Sequence, residues 1–114
     1  MPPPTDQENI EHHRNWIRQI DGELADLYEE DAWLRDALKK AYDDYNKCVA
    51  KWREQNPGTT CFNPPCDSEK EDIEFLKRML ASNAHEEALL LERRAQHQAE
   101  LDALLTGCPI VPEN

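Results

Sequence analysis

Four cysteines, Cys48, Cys61, Cys66 and Cys108, are the side chains of this sequence best suited to covalent or metal chemistry. An even number in a 114-residue chain permits three two-disulfide connectivities in an oxidising compartment and free thiols in a reducing one. Structural zinc takes tight Cys-x2–4-Cys pairs with two further ligands. Cys61 and Cys66 reach only the outer edge of that spacing, so neither a metal nor a cofactor is expected. His12 and His13 read as part of a mixed charged surface, and His85 and His97 as isolated histidines on a helix. The Glu-x-x-His signature of di-iron bundles does not occur. Nor does a Gly-rich phosphate loop, or a Ser, Cys or His setting that would activate a nucleophile, so no catalytic residue is assigned.

A different chemistry, recognition of positive charge, is concentrated between Asp21 and Asp36. Seven carboxylates stand there (Asp21, Glu23, Asp26, Glu29, Glu30, Asp31 and Asp36) against Arg35 alone, and Trp33 lies among them. A large aromatic ringed by carboxylates has the composition of a hot spot for a basic protein surface, with Asp26, Glu29, Glu30, Trp33 and Asp36 as the expected contacts. The plainer explanation is a solvated helix face with Trp33 covered by another helix.

These groups are positioned by a heptad repeat. Ile10, Ile17, Leu24, Leu38, Tyr45 and Trp52 share one register, and Ile20, Leu27, Leu34, Ala41 and Cys48 the other, with His13 and Asp31 as polar exceptions. Asp26 and Trp33 then fall at outward c positions, and Glu29 and Asp36 at f positions. Trp16, Tyr28 and Tyr42, at g and e, widen the apolar stripe beyond what two helices cover. A second repeat opens with Ile73, Leu76 and Leu80, meets Asn83, Glu87, Arg94 and His97, and resumes at Leu101 and Leu104. For that stretch the expectation is a drift that turns Ala84, Ala88, Leu91 and Ala95 to the buried face.

Residues 1–5 are a Pro-rich lead-in, and Thr5 with Glu8 forms a capping box that starts a helix at Asp6. The helix is expected to run to Glu54, roughly 70 Å if straight. Gly22 costs about 1 kcal/mol against Ala, but the heptads keep phase across it. Residues 55–67 form a loop, with Pro57-Gly58 ending one helix and Pro64-Pro65 delaying the next. Ser68 with Glu71 is a second capping box, giving a helix over 68–106 with Gly107 as its C-cap glycine and 107–114 as a tail.

The expected fold is therefore all-α: a long antiparallel, coiled-coil-like helical hairpin that dimerises into a four-helix bundle. Breaks at Gly22 and Asn83 would give the alternative, a compact single-chain four-helix bundle. Folding about the loop's centre pairs residues whose numbers add to about 125, which opposes Asp31 to Arg94 as a structural ion pair. The same fold gathers Cys48, Cys61 and Cys66 at the loop end. Cys108 then lies on the order of 60 Å away, against the roughly 7 Å that a disulfide tolerates. Cys48 is expected to bridge to Cys61 or Cys66.

A net charge of −11 disfavours nucleic-acid phosphates and anionic lipid surfaces as partners and favours a basic protein. No apolar run approaches the roughly 20 residues of a membrane span, the N-terminus lacks signal-peptide character, and localisation is left unassigned. Immunity proteins, antitoxins and secretion adaptors share this composition, yet no motif ties the chain to any of them. The leading functional expectation is a non-catalytic acidic helical module that covers or inhibits a basic surface on a partner protein. A structural coiled-coil spacer or assembly subunit is the second, and a cysteine-based redox or metal-handling protein the third.

Overall fold

A computed structural model describes residues 5–58 and 65–107. Two helices, α1 (Asp6–Gln55) and α2 (Asp67–Thr106), account for nearly all of them, and no strand occurs among the described residues. Both helices are continuous across the expected break points, Gly22 and Asn83, which removes the single-chain four-helix alternative. The Pro-rich residues 1–4, Cys61, Pro64 and the tail from Cys108 onward lie outside the described residues.

The helix ends follow from their caps. Thr5 Oγ1 accepts from the Glu8 amide at 3.2 Å and the Thr5 carbonyl accepts from the Asn9 amide at 3.0 Å, satisfying amides that the first turn would otherwise leave without partners. At the other end of α1, Asn56 Nδ2 donates to the Trp52 carbonyl at 2.8 Å, and Gly58 turns the chain with φ of 82°. Helix α2 starts one residue earlier than the Ser68 box implies, because the Lys70 amide donates to the Cys66 carbonyl at 3.1 Å and makes Cys66 the cap. Gly107, with φ of 70°, ends α2 in the left-handed conformation that glycine adopts without strain.

The chain divides into two compact units, each an antiparallel pairing of one α1 segment with one α2 segment. The first takes its described residues from Met1–Tyr28 and His85–Asn114. Its core is Ile20, Leu24, Leu27 and Leu90, with Ile17 and Leu101 also buried. The second, Glu29–Ala84, buries Leu34, Ala41, Cys66 and Ile73. On α1 the buried positions are those of the heptad.

On α2 the expected drift does not occur. Ala84, Ala88, Leu91 and Ala95 are exposed, while Asn83, Glu87, Arg94 and His97 keep heptad phase and are partly buried. Each meets a polar group from α1. Asn83 Nδ2 donates to Asp31 Oδ1 at 3.1 Å, in the second unit. In the first unit, Tyr28 Oη donates to Glu87 Oε1 at 3.4 Å, Arg94 Nε to Asp21 Oδ1 at 2.6 Å, and His97 Nδ1 lies 2.9 Å from His13 Nδ1. A partnered polar side chain can stay in a helix seam, so α2 has no reason to rotate.

These pairs correct the register. Facing residues have numbers adding to about 114, and the expected Asp31–Arg94 ion pair is not formed: Asp31 meets Asn83 and Arg94 meets Asp21. The physical reason lies at the turn. Cys66, immediately before α2, is bridged to Cys48, inside α1, with Cα atoms 6.1 Å apart, so α2 begins alongside α1 before α1 has ended. A hinge at the loop's midpoint overlooks that offset.

Candidate functional site

In the second unit, Trp33 projects from α1 with 65% of its surface exposed. Leu34, its neighbour in sequence, is fully buried in the seam and sets the direction in which Trp33 points. Glu29 and Glu30 lie one helical turn before Trp33 and Asp36 one turn after, all three exposed. None of the three makes an ion pair or hydrogen bond with another described residue. Their charge therefore faces solvent. Asp26, the remaining expected contact, is exposed on α1 in the first unit.

A turn beyond Trp33, Ala37 lines a shallow groove between α1 and α2 whose other walls include Ala41, Asp44, Asp72 and Phe75. Phe75 is 56% exposed. The second unit thus presents two large aromatics, from two helices, with carboxylates around both and Lys40 in the groove. Tyr42, on the same unit, is partly shielded by Lys77 Nζ, 5.6 Å above its ring.

The cysteines resolve in part. Cys48 and Cys66 form a disulfide, one of the two expected bridges, with Cys66 fully buried; Cys61 and Cys108 lie outside the described residues. Glu69 approaches this pair closely enough to make a three-donor group with it. Sulfurs joined in a disulfide carry no thiolate charge, however, so the group is not a ligand set while the bridge stands.

A cluster that the sequence reading passed over lies in the first unit. His13 of α1 and His97 of α2 face each other across the seam, and His13 Nε2 is 3.1 Å from Glu100 Oε2. Neutral rings satisfy both contacts when His13 Nε2–H donates to the carboxylate and His97 Nδ1–H donates to His13 Nδ1. Trp16 stacks on His97 at 5.5 Å and 7° between planes, and His12 approaches His13 edge-on at 5.2 Å. Burial lowers the pKa of His97, and a charge on His13 would lower it further. A signal existed in the sequence: keeping the α2 heptad in phase puts His97 at the seam, the kind of position His13 holds on α1.

No family model, curated protein or solved structure matches this chain.

Proposed function

We propose that the protein is a non-catalytic binding module whose second unit covers a basic surface on a partner protein. The supporting observation is Trp33, 65% exposed on α1 and flanked by Glu29, Glu30 and Asp36. An exposed indole costs solvation in the free protein and gains most when a partner desolvates it, while carboxylates free of internal partners steer a cation toward it. Phe75 and the Ala37 groove extend the apolar centre. Asp26, in the first unit, is not part of this surface.

A structural role is the second reading, favoured by Trp16, Tyr28 and Tyr42, which remain 37%, 48% and 39% exposed beside the seam. The redox reading has less support, because a bridge with one sulfur-bearing residue fully buried resists exchange with other thiols.

The test of the leading reading compares wild type with Trp33→Ala and with a Glu29→Gln, Glu30→Gln, Asp36→Asn triple variant, first in capture of basic proteins and then in kinetics with the protein captured. The triple variant is expected to slow association and flatten its salt dependence, and Trp33→Ala to cost about 2 kcal/mol in affinity, mostly through faster dissociation. Equal capture and equal kinetics for all three proteins would remove the proposal. So would loss of helicity in Trp33→Ala without a partner, since Trp33 would then belong to the fold.

A further inference from the structure

The geometry points to a binding site for a divalent zinc-class metal ion at His13, His97 and Glu100, in the first unit and separate from the proposed partner surface. One nitrogen from each histidine and one oxygen of Glu100 lie within 4.8 Å of one another. Two helices supply the donors, His13 from α1 and His97 with Glu100, three residues on, from α2. Two imidazoles and a carboxylate are the donor set of open zinc sites, which keep their remaining position for water.

The separation of the two imidazole nitrogens is close to what such an ion requires. Zinc–nitrogen bonds of about 2.0–2.1 Å at a tetrahedral angle separate two donors by about 3.3 Å. The two Nδ1 atoms stand 2.9 Å apart, so once the His97 proton has moved to Nε2 of the same ring an ion can take its place between them and open the pair by a few tenths of an ångström. Glu100 supplies the remaining adjustment. Its side chain is 51% exposed and can swing from His13 Nε2 to the ion, whereas the His13 side chain is only 12% exposed and is held in the seam. Trp16, stacked flat on His97, fixes the second ring in the same way. A site with two held imidazoles and one mobile carboxylate loses little order on loading.

Binding here ties α1 to α2, so the ion should act on stability as well as occupy a site. The experiment is titration of the chelator-treated, disulfide-intact chain with Zn2+ alone, followed by calorimetry, thermal unfolding and the histidine ring-proton resonances. The expected result is one ion per chain, a raised Tm, and perturbation of the His13 and His97 ring protons but not those of His85. His13→Gln and His97→Gln are each expected to weaken binding at least about tenfold, and Glu100→Gln, at an exposed position that leaves folding intact, severalfold. His85→Gln should bind as wild type. No binding at millimolar Zn2+, one ion per two chains, binding unchanged in both histidine variants, or ring-proton shifts confined to His85 would each overturn the site. If either histidine variant fails to fold, Glu100→Gln and the wild-type resonances still decide.

Discussion

Asp31 shows how much one polar residue in a seam can specify. Partly buried on α1, it accepts a single hydrogen bond, from Asn83. Asn83→Leu leaves the carboxylate without that donor and is expected to cost about 1 kcal/mol or more, while Leu at both positions restores an apolar layer and should be neutral or stabilising. Denaturant unfolding of the two single variants and the double variant measures the coupling; additive effects would mean that the pair does not interact. Arg94 and Asp21 form a different kind of pair, with side chains 35% and 48% exposed, so that solvent screens most of their attraction. The hydrogen bond from Arg94, and then its charge, hold the Asp21 pKa below its ordinary 3.8. A carboxylate lowered in the folded state adds stability that is full above pH 3.8 and lost as the pH falls through the folded value. Asp21→Asn should therefore be less stable than wild type at pH 6, and the gap should close on acidification toward pH 2. A pH-independent gap would show that the charge plays no part.

Helix α1 was legible in the sequence almost to its ends, because apolar residues keep heptad phase across Gly22 and Thr5 caps the start, and the alternative break at Gly22 is not found. Helix α2 was legible as a helix but not in its facing. Asn83, Glu87, Arg94 and His97 look like interruptions when each residue is judged alone, and become seam positions only once their α1 partners are known. The same blindness hid the His13–His97–Glu100 cluster and misplaced the register, since a repeat of seven lets one helix slide past another with little change in its apolar contacts. Cys48 and Cys66 break that degeneracy covalently. The exposure of Trp33 was legible because an outward position follows from α1 alone. Gly22 offers a test at this scale. It lies inside α1, and a Cβ added there meets nothing within 4 Å. Gly22→Ala is expected to stabilise by about 0.5–1 kcal/mol with no loss of fold, read as a higher midpoint at unchanged m-value. A destabilised variant would mean that the helix gives way at this point.

For the molecule as a whole, two opposing forces set the state of association. Each unit leaves aromatic surface beside its seam, Trp16 and Tyr28 in the first and Tyr42 in the second, and Leu89, Leu91 and Leu105 add exposed aliphatic surface in the first. Burying such surface favours self-association of the kind that completes a four-helix bundle. The net charge of −11 acts against it, since two copies brought together repel over distances comparable to the Debye length. Apolar burial is insensitive to moderate salt and charge repulsion is not, so the balance should tip with ionic strength. We expect a homodimer whose dissociation constant falls as salt rises from about 0.01 M, where the screening length is about 30 Å, to about 1 M, where it is about 3 Å. Light scattering behind size exclusion, run across that range, gives the mass directly. A 13.3 kDa species at every salt concentration, at protein concentrations in the high micromolar range, would show that the flanking aromatics serve a different partner and not a second copy of this chain. Association that weakens with salt would instead identify the contact as electrostatic, between an acidic face of one copy and basic residues of the other.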